Sequence, residues 1–309
     1  MTTKPKRKRT SDPAAQKVLA KTDAAGIETA HDRHDEQEPR CGFGELGICC
    51  RICEMGPCRI SPFAKGPKRG ICGATAATIV ARHLIRQVAA GGAAHSDHGH
   101  DIVNTLLLTA KGSAHGYTIK SPERLMELAA EWGVSTEKKS VEQVALEMAE
   151  LALKEFNNQE GEIRYPTLRA PKATLDRWRR LGIVPVGVEH EIVETLHRTH
   201  EGVDADYKNL ILHGLRTSLA DGWAGSMHAT DFGDILFGTP EPVRSEVNLG
   251  VLKKDEVNIV VHGHEPTLSE MVVAASRDPE LIKLAKEKGA KGILVGGICC
   301  TANEILMRQ

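Results

Sequence analysis

The sequence predicts a mixed fold, in which a cysteine-rich segment and a mainly α-helical domain precede the start of a Rossmann-like α/β domain. Three observations predict it. Six of the eight cysteines lie between Cys41 and Cys72, apolar residues recur at helical spacing from Ala74 to about Ser218, and a strand–helix–strand pattern begins near residue 257. The expected parts are a flexible tail at 1–40, a cluster-binding segment at 41–75, a helical domain at 76–245 and an incomplete α/β part at 246–309.

The amino-acid composition and the net charge exclude several classes of protein. Of the 309 residues, 41% are hydrophobic and 26% are charged, as in an ordinary soluble globular protein. The net charge of −1 and the aromatic content of 4% argue against a nucleic-acid partner. No apolar run approaches the roughly 20 residues of a membrane-spanning helix, and the basic start KPKRKR lacks a signal-peptide core. We therefore expect a cytoplasmic protein with a solvated N-terminal tail.

The helical elements follow from the spacing of apolar residues. Residues 1–40 are polar and predict at most one short helix, near Ala14–Ala25. Beyond the cysteines, four stretches place apolar residues three and four apart, which predicts a helical bundle: ATIVARHLIRQVAAG, SPERLMELAAEWG, SVEQVALEMAELALKEF and VEHEIVETLHRTHEG. Ser121 and Ser140 each precede such a stretch and are predicted to be N-caps.

The last part of the chain predicts one βαβ unit. Val257–Val261 is a β-branched run, Leu268–Lys288 has a helical pattern, and Gly292–Val295 is a second short strand. A strand, a helix and a strand in this order indicate a parallel pair with a right-handed crossover. Because one such unit cannot cover both faces of a sheet, we expect the chain to be the front portion of a longer polypeptide.

The cysteine spacing, C-x7-C-C-x2-C-x4-C-x13-C, is the most specific pattern in the chain. Clustered cysteines in a chain without secretory features indicate metal ligation rather than disulfides. Four of them supply the thiolates that a [4Fe–4S] cluster takes: Cys50, Cys53, Cys58 and Cys72. Cys41 and Cys49 remain as a pair, and a second cluster becomes possible when a twofold partner supplies two more, which predicts a homodimer. A zinc site that uses four of the six cysteines is the alternative.

The run CGFGELGICCRICEMGPCRI, continued by KGPKRGICGATAATIVAR, resembles the N-terminal signature of anaerobic nickel–iron–sulfur carbon monoxide dehydrogenases. The resemblance continues through GAAHSDHG, ATDFGDILFGTPEPV, VVHGHEPTLSE and GGICCTANEILMR. It implies that Cys41 and Cys49 hold a [4Fe–4S] cluster shared between two subunits. It also implies that the next four cysteines hold a second [4Fe–4S] cluster within the subunit.

The resemblance also implies roles for residues near the active cluster. His95, which lies near the end of the first long helix or in the loop after it, resembles an acid/base group, and His98 the next member of a proton relay. The next relay positions are not histidines here, so Asp101 or His100 is the candidate for the outer relay. Asp231 resembles a carboxylate that supports His95, although a helix cap or turn explains an aspartate there equally well.

Two residues after the predicted strands resemble ligands of a nickel–iron–sulfur cluster. His264 follows the first strand and Cys300 follows the second, and the carboxyl ends of adjacent parallel strands meet at one edge of a sheet. Cys299 is interpreted as a small buried apolar residue. Because the resemblance places the remaining ligands beyond Gln309, we expect that this chain alone cannot complete the cluster.

The resemblance therefore implies oxidation of carbon monoxide with water to carbon dioxide, with electrons leaving through the [4Fe–4S] clusters to a ferredoxin-type acceptor. Two other classes remain open on the sequence alone. One is an iron–sulfur electron-transfer protein or a relative of the hybrid-cluster hydroxylamine reductases. The other is a zinc-binding interaction protein.

Overall fold

The structure, a computed structural model, describes residues 8–241, 244, 248–262 and 266–298. The N-terminal part contains three helices and two short strands: α1 (Pro13–Ala24), α2 (Ala30–Glu36), α3 (Gly42–Glu45), β1 (Cys49–Cys50) and β2 (Cys58–Arg59). The helical part contains α4 (Ala76–Ala110), α5 (Pro122–Glu131), α6 (Val141–Phe156), α7 (Arg164–Arg169), α8 (Lys172–Leu181), α9 (Val188–Arg198), α10 (Tyr207–Ala220) and α11 (Ser226–Phe237). The α/β part contains β3 (Val257–His262), α12 (Pro266–Ser276), α13 (Pro279–Glu287) and β4 (Ile293–Ile298).

The helix expected near residues 14–25 is confirmed as α1, and a second helix, α2, follows it. The second helix was not predicted, but its start has a local signal in the pair Thr29 and Asp32. The Asp32 carboxylate accepts hydrogen bonds from the backbone N–H of Thr29 at 2.8 Å and from its hydroxyl at 2.7 Å, as in a capping box. Arg9 donates to Asp32 at 2.5 Å and to Asp35 at 3.1 Å, which ties the start of the described chain to α2.

Helix α4 is the central element, and at 35 residues it is much longer than its first apolar stretch predicted. The backbone N–H of Thr78 donates to the Thr75 side chain at 3.3 Å, which caps the helix start. The helix continues through Gly91 and Gly92, because packing against neighbouring helices outweighs the low helix propensity of glycine. The three histidines at 95, 98 and 100 therefore lie inside the helix, which corrects the expectation that they lie near its end or in a loop.

The main hydrophobic core lies between α4, α5, α6 and α11. Its buried members recur three and four residues apart, and those in α5 and α6 lie in stretches that the sequence predicted to be helical: Ile102, Val103, Leu106, Leu125, Leu128, Val144, Met148, Phe156, Phe232 and Ile235. Removal of this apolar surface from water stabilises the bundle and fixes the orientation of α4. The N-cap expected at Ser140 is confirmed, since the N–H of Gln143 donates to its hydroxyl at 3.3 Å.

A five-residue π-helical segment, Asp221–Gly225, separates α10 from α11. The backbone of this segment approaches α4 very closely at Gly99. A Cβ atom on Gly99 would lie 2.9 Å from the carbonyl oxygen of Gly225, which is closer than carbon and oxygen atoms pack. A π-helical segment is uncommon and often marks a functional site. Here it brings residue 221 against the middle of α4.

The α/β part contains one parallel pair of strands within the described residues. β3 pairs with β4 in a register that runs from Val257 opposite Ile293 to His262 opposite Ile298. This confirms the parallel βαβ pattern, but two strands do not establish the expected Rossmann-like sheet. The single helix expected at 268–288 is wrong, because α12 ends at Ser276 and α13 begins at Pro279. Proline lacks the N–H that a continuous helix requires, and the Asp278 side chain caps the new helix at 2.7 Å.

Helix α12 packs on α4 through polar contacts. The hydroxyl of Thr267 donates to the Asp101 carboxylate at 2.7 Å, and the Tyr117 hydroxyl donates to the Thr267 carbonyl at 3.0 Å. The first bond holds α12 against the half of α4 that carries the histidines, and the second joins α12 to the loop after α4. Among the described residues, no helix combines the length and the apolar composition needed to cross a membrane.

Candidate metal centre and acid–base pair

Four of the six clustered cysteines line one pocket. Cys50 and Cys58 lie opposite each other in the antiparallel pair of β1 and β2, Cys53 lies in the turn between these strands, and Cys72 comes from the loop before α4. The pocket contains about 350 Å³ of space between atoms, including space open to solvent. All four cysteines are free thiols. The structure thus brings together the set that the sequence predicted as ligands of one cluster.

The surroundings of this pocket fit an iron–sulfur cluster. Several donors point at the sulfurs: among them, the backbone N–H of Ile71 lies 3.4 Å from Cys58 Sγ, and Arg82 Nη1 lies 3.6 Å from Cys72 Sγ. Gly56 leaves room for the loop, because a Cβ atom there would lie 3.1 Å from the carbonyl oxygen of Cys50. Four thiolates with N–H donors in a partly apolar pocket are the environment that a [4Fe–4S] cluster requires.

The pocket shifts the pKa values of two of its thiols in opposite directions. Burial raises the pKa of the Cys50 thiol above its ordinary value. Burial also acts to raise the pKa of Cys72, but hydrogen bonds from the Ala74 backbone and the Arg82 guanidinium outweigh it, and the net pKa of Cys72 is lowered. Positive charge on Arg82 therefore already favours a thiolate at one corner of the pocket.

The sequence also allowed a single zinc ion in place of the cluster. Among the described residues, no three His, Cys, Asp or Glu side chains converge closely enough to hold one metal ion. A cubane cluster differs from a zinc ion in this respect, because each of its thiolates binds a separate iron atom.

Cys41 and Cys49 lie on either side of the short helix α3. Cys41 precedes this helix and is exposed, whereas Cys49 is half-buried in β1. Hydrogen bonds from the backbone N–H groups of Gly44 and Phe43 lower the pKa of the Cys41 thiol. His83 on α4 bonds to the carbonyl oxygen of Cys49 at 3.0 Å, which fixes the backbone between the two predicted cluster sites.

His95 forms an acid–base pair with a carboxylate of the π-helical segment. Its Nδ1 lies 2.5 Å from Oδ1 of Asp221, and both side chains are partly exposed. Because a carboxylate accepts, the Nδ1–H of the imidazole donates this bond. The bond orients the imidazole ring and places the proton of its neutral form on Nδ1.

The other histidines and Asp101 follow along α4. His98 lies about one turn beyond His95 and is buried, with 8% of its surface exposed. The side-chain amide N–H of Asn104 donates to Nδ1 of His100 at 2.9 Å. Asp101 lies one turn beyond His98 and accepts from Thr267. His95, His98 and Asp101 therefore share the i, i+3 spacing of neighbouring side chains on one helix face.

Asp231, the carboxylate that the resemblance assigned to His95, lies in a different environment. It is buried, and its two oxygens lie 2.7 Å from Arg124 Nη2 and 2.8 Å from Arg169 Nη1. These contacts join α11 to α5 and α7, which is a structural role. The structure corrects the expected pairing, because the carboxylate that it places against His95 is Asp221.

The two predicted ligands His264 and Cys300 lie outside the described residues, as does Cys299. The strands before them are described, and His262 pairs with Ile298 at the carboxyl ends of β3 and β4. In the sequence, residues 264 and 300 each come two positions after this last pair. The described strands end at one edge of the sheet, and the placement of residues 264 and 300 stays a prediction.

Sequence reasoning missed two residues of these sites, Asp221 and Arg82. Asp221 is 126 positions from His95, and its run SLADGWAG has no recognised pattern. Arg82 lies inside a predicted apolar helix face, two residues after Val80 and three before Ile85. A charged residue on a buried helix face was the available signal for Arg82, because such a residue needs a partner.

Comparison with known proteins gives a consistent result. Residues 48–309 match the Prismane/CO dehydrogenase family. A relative named carbon monoxide dehydrogenase 1, from Methanosarcina mazei, is 61% identical over 298 residues, which cover 96% of this chain and 47% of the relative. The chain spans about half the length of the curated relatives it matches.

Solved structures agree with the sequence matches. The Ni-free crystal structure of carbon monoxide dehydrogenase from Thermococcus sp. AM4 has a TM-score of 0.89 at 49% identity, covering 97% of this chain and 49% of that one. A chain of an acetyl-CoA synthase/carbon monoxide dehydrogenase with NiZn[Fe4S4] and NiNi[Fe4S4] clusters in its alpha subunits also has a TM-score of 0.89, at 45% identity. It covers 97% of this chain and 45% of that one. These neighbours favour the carbon monoxide dehydrogenase interpretation over the hydroxylamine reductase alternative.

Proposed function

Because the chain belongs to the Prismane/CO dehydrogenase family, we propose that it takes part in the reversible oxidation of carbon monoxide with water to carbon dioxide, protons and electrons. One observation carries the proposal: helix α4 provides Arg82 to the cysteine pocket and, further along, His95 to the acid–base pair. Since a helix rises about 1.5 Å per residue, these side chains lie roughly 20 Å apart along its axis. A single rigid element thus joins an electron site to a proton site.

The residues that hold the cofactors follow from the cysteine pattern and the pocket. Cys50, Cys53, Cys58 and Cys72 hold a [4Fe–4S] cluster, and Cys41 and Cys49 hold a second one together with the same residues of a partner subunit. His264 and Cys300 contribute to a nickel–iron–sulfur cluster. When bound, these groups supply electron transfer and, at the nickel and iron, binding of carbon monoxide and activation of water.

His95 is the acid/base residue of this proposal. Asp221 holds the Nδ1–H, so Nε2 accepts a proton from the reacting water and releases it again. Asp221 thus acts as a positioning residue, because it orients His95 without contact to the reacting atoms.

His98 and Asp101 continue the proton path along α4. Each lies about one helical turn beyond the previous member, and His98 is shielded from bulk water. Asp101 is chosen over His100 for the outer position because it shares the register of His95 and His98. Its bond from Thr267 keeps the carboxylate in place while a second oxygen remains to accept a proton.

Electrons leave towards a ferredoxin-type acceptor. They pass from the internal cluster to the Cys41/Cys49 cluster and leave from there. A surface groove supports this path, since Phe43 of α3, between Cys41 and Cys49, lines it together with Cys58 of the cluster pocket. The groove also carries the exposed cations Arg59 and Arg69, and Lys65 lies in the same exposed loop. A basic surface attracts an acidic electron carrier and raises its association rate at low salt.

The cluster that Cys41 and Cys49 share with a partner subunit requires a homodimer. Cys41 is exposed, as a residue that must meet its counterpart across a twofold axis has to be. Leu46 after α3 and Val80 and Leu84 on α4 expose 59%, 44% and 49% of their surfaces, and a Cβ atom on Gly47, in the loop after α3, would lie 3.7 Å from Val80. Exposed apolar side chains beside the predicted shared site support an interface between two copies of the chain.

Anaerobic reconstitution with iron and sulfide tests the cluster assignment. We expect about six irons per chain, because the internal cluster contributes four and the shared cluster counts half to each subunit. Cys53→Ser removes a ligand of the internal cluster only, and Cys41→Ser removes a ligand of the shared cluster only. The first variant should fall to about two irons per chain and the second to about four. Zinc without iron and sulfide would overturn the proposal.

A further inference from the structure

Arg82 is an unusual residue for the interior of a protein. Its side chain is almost completely buried, with 1% of its surface exposed, and it points from α4 towards the cysteine pocket. Nη1 donates to Cys72 Sγ at 3.6 Å, and Nη2 donates to the carbonyl oxygen of Asp204 at 2.6 Å. Within the described residues, the third nitrogen, Nε, is buried without a hydrogen-bond partner.

The contacts of Arg82 leave its charge unbalanced. The guanidinium bonds to a thiol and to a backbone carbonyl, and neither is a carboxylate. Arginine keeps its proton in proteins, and a buried cation without a negative partner is strongly destabilising. Glu201 also lines the pocket, but its carboxylate is half exposed and lies against His200, so the four cysteine sulfurs are the buried groups of the pocket that can balance the charge.

We propose that Arg82 raises the redox potential of the [4Fe–4S] cluster held by the pocket, through its buried charge and its N–H bond to the Cys72 sulfur. This inference rests on the proposed cluster. A cubane cluster with four thiolates is anionic and becomes more negative on reduction, so a nearby positive charge stabilises the reduced form more than the oxidised form. Hydrogen bonds to cluster sulfurs act in the same direction.

The structure holds the guanidinium in place for this role. The Asp204 carbonyl fixes one end of the planar group, and the sulfur lies at the other end. One turn earlier on α4, the hydroxyl of Thr78 donates to the carbonyl oxygen of Ala205 at 2.8 Å. The 204–205 segment is therefore attached to α4 independently of Arg82. A purely structural role as a link between these segments would not require the charge.

Arg86 offers a matched control on the same helix. It lies one turn beyond Arg82 and donates to the Thr199 hydroxyl at 2.8 Å, without lining the cysteine pocket. Arg86→Gln therefore removes a positive charge and an interhelical bond of α4, but not the contact with a cluster sulfur.

The test is an EPR-monitored redox titration of the reconstituted 309-residue chain and of its Arg82→Gln, Arg82→Lys and Arg86→Gln variants. Arg82→Gln should lower the midpoint potential of the internal cluster by ~60 mV or more. At the wild-type midpoint potential, such a shift lowers the ratio of reduced to oxidised cluster at least tenfold. Arg82→Lys keeps the charge and should shift the potential by less. Arg86→Gln should stay within a few-fold of the wild-type ratio.

Iron and sulfide analysis separates failure of this inference from failure of the proposed function. Chains that bind no iron–sulfur cluster refute the proposed function, and the inference with it. A fully loaded Arg82→Gln variant with the wild-type potential refutes the inference alone, as does an equal shift in Arg86→Gln. If Arg82→Gln does not fold or load, the neutral variant Arg82→Met, which keeps the length of the buried side chain, decides: a lower potential supports the inference, and an unchanged one overturns it.

Discussion

His228 provides a test of how strongly the buried core of this protein disfavours a protonated histidine. It lies on α11 with none of its surface exposed, and its Nδ1–H donates to the carbonyl oxygen of Ala224 at 2.6 Å. Its ring stacks on Phe232 and meets the edge of Tyr165. The variant His228→Phe keeps an aromatic ring in this site and removes the group that can bind a proton.

The magnitude follows from the pKa of His228. Burial lowers it from 6.5 to about 4. Between pH 6.5 and pH 4, His228 binds a proton in the unfolded chain but not in the folded chain. The free energy of unfolding is therefore highest above pH 6.5 and falls as the pH is lowered towards 4. At 1.36 kcal/mol for each pH unit, the loss amounts to about 3 kcal/mol. Burial also lowers the pKa of His213 to about 4, so the wild-type protein should lose roughly twice this amount from the two groups.

Urea unfolding followed by circular dichroism at pH 7, 6, 5 and 4 measures this difference. At pH 7 the His228→Phe variant should be less stable by about 1 kcal/mol, because the bond to Ala224 is lost. Between pH 7 and pH 4 its free energy of unfolding should fall by about 3 kcal/mol less than that of the wild type. The control Ile102→Val shortens a buried side chain without titrating and should cost about 1 kcal/mol at every pH. Equal pH dependence in wild type and His228→Phe would refute the reasoning.

Three further substitutions test other contacts. Asp231→Asn should lower the free energy of unfolding by about 2 kcal/mol, since two arginines lose their charged partner, and an unchanged urea midpoint would contradict this. Asp221→Asn should remove the strongly deshielded Nδ1 proton of His95 from the NMR spectrum, and its persistence would show that another group holds that proton. Gly99→Ala should cost about 1–3 kcal/mol in thermal unfolding, because its methyl group meets the Gly225 carbonyl; a wild-type Tm would exclude that close approach.

The pairing of Asp221 with His95 also explains why the first residue of the π-helical segment matters. The segment begins where α10 would otherwise continue, and its wider turn places residue 221 opposite the middle of α4. Close approach of the two backbones at Gly99 and Gly225 keeps this distance short. The geometry of the acid–base pair therefore depends on a local departure from regular helix, as often happens at functional sites.

Much of the fold followed from local patterns. The three- and four-residue spacing of apolar side chains predicted the core faces of α4, α5 and α6, and the β-branched run at Val257–Val261 predicted β3. The break between α12 and α13 was missed although Asp278 and Pro279 signal it, because a regular apolar pattern on both sides hid the boundary. The length of α4 was missed because glycines lower intrinsic helix propensity, while packing against α9, α10 and α11 decides the outcome.

The sequence by itself determined that Cys50, Cys53, Cys58 and Cys72 belong together, since they lie close enough in the chain for spacing to indicate one site, and the structure places all four around one pocket. Only the tertiary structure decided which charges act on that site and on His95. Arg82 reaches Cys72 from a helix face, and Asp221 reaches His95 across 126 residues. Such contacts depend on how helices pack, and packing brings together residues that no local pattern connects.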